Sequence, residues 1–174
     1  MKEYTFSGRA WVISWKEDEL IPDIDTDQIF HNAYLHITDI DKMGQYTFDN
    51  LEGWEDFSKK AQPGDIVIVG SNFGSGSSRQ QAVDCFRALG VKVIIAVSFG
   101  AIYKRNAINS GFPIMIFEDA EKVVSEKKIK NLDNVKIDLL AGELTNEESG
   151  ETFSLMPFSK VQKDIYDSGT LLNI

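Results

Sequence analysis

Residues 65–111 read DIVIVGSNFGSGSSRQQAVDCFRALGVKVIIAVSFGAIYKRNAINSG, and this stretch decides the fold. An apolar run, DIVIVG, ends at a loop of glycines and serines, after which apolar residues recur at helical spacing in RQQAVDCFRALG. A second apolar run, VKVIIAV, and a second helical pattern follow directly. Buried parallel strands are near-continuous apolar runs, and a βαβα unit of this kind has right-handed crossovers. The sequence therefore predicts an α/β fold with parallel strands at its centre.

The rest of the chain continues this mixture of short strands and helices. Residues 4–14 alternate like one or two strands, residues 21–30 are rich in Asp and indicate a loop, and residues 47–60 indicate a turn before a short helix. Further strand and helix patterns lead to a hairpin around residues 142–155 and a C-terminal helix. Because 174 residues suit one core and no repeat or low-complexity linker interrupts them, we expect one domain spanning residues 1–174.

The charge of the chain excludes two classes of partner. A formal net charge of -9 and a pI near 4.7 would repel nucleic acid and anionic membrane surfaces over most of the protein. An anionic ligand must therefore be held by local positive groups. The first residues lack an apolar signal segment, and no run of about 18 apolar residues occurs, so we expect a cytoplasmic protein.

Metal and disulfide chemistry have few candidate residues. Cys85 is the only cysteine, and His31 and His36 are the only histidines. One thiol cannot form an internal disulfide, a tetrathiolate zinc site or an iron–sulfur cluster. We expect no metal in this chain, so its chemistry would use hydroxyls, carboxylates, arginines and backbone amides, or a cofactor on a partner.

The glycine-rich loop is the candidate site. Gly74 and Gly76 permit positive φ angles and a close approach of a ligand to the backbone. Ser77 and Ser78 stand where the N-cap and first turn of the next helix are expected, and free amides and the helix dipole there suit an anion. Arg79 adds a planar fork of donors that matches a carboxylate. The alternative is a loop that only turns the chain and caps the helix.

The spacing in this loop excludes three common motifs. Ser77 stands where a P-loop carries its lysine, which excludes that phosphate-binding loop. Arg79 replaces the third glycine of a dinucleotide fingerprint. The window also lacks the G-x-S-x-G of a hydrolase elbow.

Three segments carry a family resemblance instead. Residues 70–82 are similar to the pattern G-S-N-F-G-x-G-S-S-R-E-x-A of the aconitase superfamily's mobile domain, which occurs as a separate small subunit in dehydratases of the 3-isopropylmalate and homoaconitase type. DIDTDQI, ending at residue 29, and YL at 34–35 resemble its D-T-D-Q-I and Y-L segment. Residues 98–114 resemble its S-F-A-R-I-F-Y-R-N-A-I-N-x-G-L. The resemblance implies a three-layer β/β/α swivelling domain.

It also implies a reaction and roles for named residues. Family members move water within a small dicarboxylic hydroxy acid by abstracting a proton next to a carboxylate, with a serine alkoxide as base. Ser77 matches that base, and Ser78 and Arg79 match residues that grip a substrate carboxylate. The supporting positions in the same segments are Asp25, Thr26, Asp27, Asn72, Gly74, Gly76, Arg105 and Asn106. Two alternatives stay open: the Asp-Thr-Asp run is only an Asx-type turn, and Arg105 and Asn106 lie on a solvated helix face.

The resemblance places the cofactor on another chain. In the family a 4Fe-4S cluster, held by three cysteines of a large subunit, acts as Lewis acid on the departing hydroxyl. We therefore expect a cluster-bearing large subunit as partner, a docking face around residues 25–38 and 71–79, and no activity of this chain alone.

Several positions depart from the family pattern. Gln80 and Gln81 stand where relatives have Glu and then His or Gln, so a carboxylate beside Arg79 is lost and Arg79 is expected to be less firmly oriented. Ala101 replaces an arginine. His36 and Ile37 occupy the specificity positions after Y-L, where an apolar pair suits an isopropyl group and an arginine suits an extra carboxylate.

Ile37 favours an alkyl-substituted malate, although His36 could be neutral or charged. We expect 3-isopropylmalate as substrate and hence a role in leucine biosynthesis. The alternatives are homoaconitate, 2,3-dimethylmalate, and a non-catalytic anion-binding or purely structural module.

Overall fold

A computed structural model describes residues 2–173. Its strands are β1 (Thr5–Val12), β2 (Ser14–Lys16), β3 (Glu19–Leu20), β4 (Ile66–Val69), β5 (Val93–Ala96), β6 (Ile114–Ile116), β7 (Asn134–Asp138), β8 (Glu143–Asn146) and β9 (Thr152–Ser154). Its α-helices are α1 (Thr26–Ile29), α2 (Phe57–Lys60), α3 (Gln81–Ala88), α4 (Ala101–Asn109), α5 (Ala120–Ser125) and α6 (Lys160–Ser168). Short 3-10 turns occupy Asn32–Tyr34, Ile40–Lys42, Gly44–Tyr46 and Leu171–Asn173.

Seven strands form one sheet in the order β6-β5-β4-β1-β7-β8-β9, and β2 pairs with β3 in a separate hairpin. β6, β5, β4 and the second half of β1 are parallel, as the central apolar runs predict. The first half of β1, residues 5–9, pairs antiparallel with β7, and β8 and β9 continue in that mode. β1 is therefore the strand that joins a parallel half to an antiparallel half.

Side chains alternate across β1 into two separate cores. Trp11 and Ile13 belong to a core that also holds the buried residues of α3 and α4. Ala10 and Val12 face a second core, to which the antiparallel strands and α5 contribute. The second core thus joins residues of both halves of the sheet to α5, and the first joins residues of the parallel half to α3 and α4. The α/β prediction and the β/β/α layers implied by the resemblance are both confirmed.

The prediction of a simple loop at residues 21–30 is wrong, because α1 begins inside it. The side chain of Asp25 accepts from the backbone N–H of Gln28 at 2.9 Å, and the Gln28 side chain accepts from the N–H of Asp25 at 3.0 Å. This reciprocal pair is a capping box, which satisfies two free donors at a helix start. None of the helices within residues 2–173 is long and apolar enough to cross a membrane.

A buried carboxylate ties β1 to the turn before β4. Asp65, 2% exposed, accepts from Arg9 Nη2 at 2.8 Å, from Trp11 Nε1 at 2.7 Å and from the Gln62 N–H at 2.8 Å. Burial opposes ionisation of Asp65, but the hydrogen bonds from Arg9, Gln62 and Trp11 outweigh it and lower the pKa of Asp65. The folded protein therefore stabilises the ionised form of Asp65 relative to the unfolded chain.

We predict that Asp65→Asn lowers the free energy of unfolding by about 2–3 kcal/mol near neutral pH, because it removes one partner of a buried ion pair. The pKa of Asp65 is lower in the folded protein than in the unfolded chain. Its contribution is therefore complete above the ordinary value of about 3.8 and is lost as the pH falls through the folded pKa. In urea unfolding across this acid range, the difference in free energy of unfolding between the parent and Asp65→Asn should shrink as the pH falls.

Asp164→Asn is the control, since the Lys160–Asp164 pair on α6 is exposed at both ends. We expect it to change stability by less than about 0.5 kcal/mol. An equal loss in the two variants would contradict a special role for Asp65.

Candidate active site

The serine loop, residues 70–80, connects β4 to α3 and is held on one side by the segment before α1. Gly74 donates its N–H to the Ile24 carbonyl at 2.7 Å, and Thr26 donates to the Ser75 carbonyl at 2.9 Å. These bonds form a short parallel bridge beyond the end of β4. The backbone of the loop is thus fixed by main-chain groups, so its side chains are not needed for that task.

The other side of the serine loop is held by the segment that follows β5. Phe73 donates to the Ser98 carbonyl at 3.0 Å and accepts from Gly100 at 2.9 Å. The N–H of Asn72 donates to Ser98 Oγ at 2.8 Å, and its side-chain amide donates to Asp23 at 3.0 Å. Asn72 therefore links the serine loop to the segments on both sides, and its contact with the Ser98 hydroxyl was not predicted from the sequence.

The two serines are exposed, but they do not cap the helix as the sequence analysis expected. α3 begins at Gln81, with Gln80 as its N-cap residue and no side-chain capping bond. Its first turn starts from the Arg79 carbonyl, which accepts from Ala82 at 3.2 Å. Ser77 and Ser78 precede that turn and are exposed residues, and Ser78 Oγ accepts from Asn106 Nδ2 at 3.0 Å. Asn106 is thereby placed in the site.

Arg79 turns back toward α1 rather than out to solvent. Its Nη1 donates to Asp27 Oδ1 at 3.1 Å and to the Phe30 carbonyl at 2.9 Å, and its side chain is 12% exposed. Among residues 2–173, no hydrogen bond is donated by its Nε or Nη2. Arg79 is therefore held firmly by one nitrogen while two of its donor groups remain for a ligand.

Asp27 is the charged partner of Arg79 within the Asp-Thr-Asp run. The backbone N–H of Asn32 donates to Asp27 at 2.8 Å, and this bond, together with Arg79 and His31, lowers the pKa of Asp27. The carboxylate is therefore ionised throughout the neutral range. Asp25 instead caps α1, and buried Thr26 contributes its backbone N–H, so only Asp27 places a side chain against the arginine.

The structure shows where the residues that depart from the family pattern lie. Gln80 donates along α3 to Asp84 at 3.2 Å, and Gln81 donates to the Leu35 carbonyl at 3.2 Å. Asp27 supplies a carboxylate to Arg79 from another segment. The expectation that the change at position 80 leaves Arg79 less firmly oriented stays a prediction. Ala101 is exposed at the first residue of α4.

The specificity positions lie beside the segment that Gln81 anchors. His36 is exposed, and Ile37 is partly buried against the first core. Arg105 is exposed on α4 and, within residues 2–173, belongs to none of the ion pairs. The structure thus brings Asn106 to the serines, while Arg105 lies on a solvated face.

The residues of this chain do not fit an iron–sulfur cluster. Cys85 is fully buried in α3, and burial raises the pKa of its thiol to about 12, so it is not a thiolate. Between residues 2 and 173 no group of three or more His, Cys, Asp or Glu side chains could hold a metal ion.

Tyr103 is a second residue that the sequence analysis missed. It is 2% exposed, its ring packs against the backbone of Gly74, and its hydroxyl donates to the Ala82 carbonyl at 2.9 Å. The helical spacing of Tyr103 and Asn106 on α4 could have indicated a shared face. What that face contacts depends on the fold.

Comparison with known proteins gives a consistent set of relatives. The model of the family described as Aconitase C-terminal domain matches residues 22–119. The 3-isopropylmalate dehydratase small subunit of Moorella thermoacetica is 39% identical over 150 residues, which cover 86% of each chain. That of Aquifex aeolicus is 36% identical and covers 96% of this chain and 92% of its own. The crystal structure of 3-isopropylmalate dehydratase (leuD) from Methanocaldococcus jannaschii has a TM-score of 0.83 at 33% identity, over 97% of this chain and 92% of that one.

We predict that Gly74→Ala destabilises the chain far more than Gly150→Ala. Both glycines have similar positive φ angles, 82° and 79°, so a side chain costs roughly 1–2 kcal/mol of backbone strain at either position. A Cβ at Gly74 would also lie 2.3 Å from Tyr103 Cγ, whereas a Cβ at Gly150 meets nothing within 4 Å. The difference between the two free energies of unfolding, measured in urea, isolates the contact with Tyr103. Equal losses would show that the ring does not limit this position.

Proposed function

This chain belongs to the aconitase C-terminal domain family, among the 3-isopropylmalate dehydratase small subunits, and from that premise we propose that it supplies half of a two-chain active site. The reaction is the conversion of 2-isopropylmalate to 3-isopropylmalate by loss and return of water, in leucine biosynthesis in the cytoplasm. The observation that carries the proposal is the pair of exposed serines, Ser77 and Ser78, next to the partly buried Arg79 on a loop whose backbone is held from both sides.

Ser77 is the proposed base. A serine hydroxyl is too weak an acid to ionise in water, so it needs positive potential around it before it can take a proton as an alkoxide. Arg79, two residues further on, brings such a charge to the same loop. Ser77 Oγ would accept the proton from the carbon next to a substrate carboxylate. It would give the proton back to the substrate when water is added again. Its exposure gives it access to a substrate that enters from the surface.

Arg79 is proposed to bind that carboxylate. Its Nη1 is already committed to Asp27 and Phe30, which fixes the plane of the guanidinium. Nε and Nη2 lie on the same edge of that plane and can donate two parallel hydrogen bonds to one carboxylate. Ser78, oriented by Asn106, adds a hydroxyl donor beside it. These contacts hold the reacting carbon near Ser77.

The partner is proposed to be a cluster-bearing large subunit. Departure of the substrate hydroxyl needs Lewis-acid assistance, and the residues of this chain do not fit the 4Fe-4S cluster that the family uses for it. The relatives are named small subunits, which supports a heteromeric assembly. We place the docking face around residues 25–38 and 71–79, where the serine loop meets solvent.

An alkyl-substituted malate fits the specificity positions best. Ile37 packs partly against the first core and presents an apolar side chain next to exposed His36. An isopropyl group would be accepted there, whereas a third carboxylate would require a fixed cation at this position.

The first test is anaerobic reconstitution with the large subunit encoded alongside. We predict that the complex converts 3-isopropylmalate at least about tenfold more efficiently in kcat/KM than 2,3-dimethylmalate or homoaconitate, because burial of one or two methylenes is worth roughly 1–3 kcal/mol. Neither chain alone should turn over substrate. Preference for homoaconitate would overturn the assignment of 3-isopropylmalate as substrate. Activity with none of the three compounds would favour a non-catalytic anion-binding module.

The second test concerns the base. Ser77→Ala should lower kcat by about 10²-fold or more with little change in KM, because it removes proton transfer but leaves Arg79 to bind substrate. Ser75→Ala is the matched control, since Ser75 contacts Thr26 through its backbone carbonyl and not through its hydroxyl. Turnover of the Ser77 variant within tenfold of the parent would assign the base elsewhere.

A further inference from the structure

We propose that Tyr103 is the positioning residue of the serine loop, with its ring setting the place of Gly74 and its hydroxyl setting the place of the first turn of α3. This role deepens the proposed function, because it concerns the geometry of the residues that carry it. Tyr103 contacts both ends of residues 74–82, and the three side chains of the active triplet lie between those ends.

The ring of Tyr103 is itself immobilised. Phe73 packs edge-on against it at 5.3 Å and 88°, and Phe99 stacks on it at 6.2 Å and 7° between planes. Phe73 belongs to the serine loop itself, and Phe99 belongs to the segment after β5 that is bridged to it. The loop backbone lies so close to Tyr103 that a Cβ at Gly74 would be 2.3–2.6 Å from three atoms of its side chain, two of them in the ring. Gly74 therefore cannot move toward α4.

The hydroxyl of Tyr103 contacts the other end of residues 74–82, at the start of α3. It donates at 2.9 Å to the carbonyl of Ala82, the second residue of α3. Burial raises the pKa of Tyr103 well above its ordinary value, so the phenol stays protonated and remains a donor across the working pH range. A buried phenol without a partner would be costly, which makes this bond a strong restraint on the helix start.

One face of α4 therefore contacts the loop at three points. Tyr103 contacts Gly74 and Ala82, and Asn106, three residues later on the same face, donates to Ser78 at 3.0 Å. The contacted residues Gly74, Ser78 and Ala82 are spaced four apart along the serine loop and the start of α3. Ser77 is exposed and lies between the contacts at Gly74 and Ser78, so we infer that these anchors set its position.

The ring and the hydroxyl of Tyr103 make separate contacts. The ring packs against Gly74, and the hydroxyl bond to Ala82 is a second restraint. The two parts can be separated by substitution, because Tyr103→Phe removes only the bond and Tyr103→Leu removes both.

The test uses two measurements on the same variants. With the large subunit, we expect Tyr103→Leu to lower kcat by about 10²-fold with KM within threefold, since displacement of a reacting group by about 1 Å has that effect. Tyr103→Phe should retain kcat within tenfold. In the chain alone, amide hydrogen exchange should accelerate at residues 79–83 in the Phe variant and over all of 74–83 in the Leu variant.

Leu144→Ala is the control for general destabilisation, because Leu144 is fully buried in the second core. At matched stability it should leave kcat and exchange in the serine loop unchanged. Equal kcat in Tyr103→Leu and Leu144→Ala, or unchanged loop exchange in both Tyr103 variants, would overturn the positioning role. If Tyr103→Leu fails to fold, the exchange pattern of Tyr103→Phe decides.

An inactive parent complex would overturn the proposed function instead. In that case the exchange measurements on the isolated chain still decide whether Tyr103 holds the loop.

Discussion

The position of β4 between two parallel neighbours is the constraint on which the site depends. Because β1 and β5 both run parallel to β4, the segments that follow all three emerge at one edge of the sheet. Ligand sites in α/β sheets form at this edge for the same topological reason. Here backbone pairing continues past the strand ends, through the bridges Asp25–Ser75 and Phe73–Phe99. Main-chain groups therefore hold the loop on both sides, and residues 77–79 carry the side chains of the candidate site.

The parts of this fold that rest on local pattern could be predicted from sequence. β4, α3, β5 and α4 follow from apolar runs and helical spacing, and each lies where the pattern predicts it. α1 was missed because Pro22 and the aspartates outweighed a helix of four residues, although Asp25 and Gln28 carry the spacing of a capping box. The pairing of the first half of β1 with β7 is about 130 residues distant in sequence, and no local signal encodes the curl it produces.

The candidate site, like the fold, has parts that could be predicted from the sequence and parts that could not. Ser77, Ser78 and Arg79 could be identified from their spacing, but their relation to α3 could not, because the helix starts at the Arg79 carbonyl and not at a serine hydroxyl. The sequence pattern indicated only that position 80 lacks a carboxylate beside Arg79, whereas the structure pairs Arg79 with Asp27, 52 residues earlier in the chain. Such a pairing depends on two loops meeting at the sheet edge, which only the tertiary structure reveals.

The Asp27–Arg79 pair gives a physical reason for our expectation that this chain is inactive by itself. The low pKa of Asp27 keeps its charge present, so it cancels much of the positive potential that Arg79 would otherwise offer to Ser77. The protein as a whole carries a charge of -9, which opposes an alkoxide further. If Ser77 is the base, as we propose, its ionisation requires positive charge that another chain supplies. A partner that closes over the loop would exclude water and strengthen every remaining interaction there, since electrostatic forces grow as the dielectric falls. We therefore expect Ser77, the proposed base, to act only in the assembled enzyme.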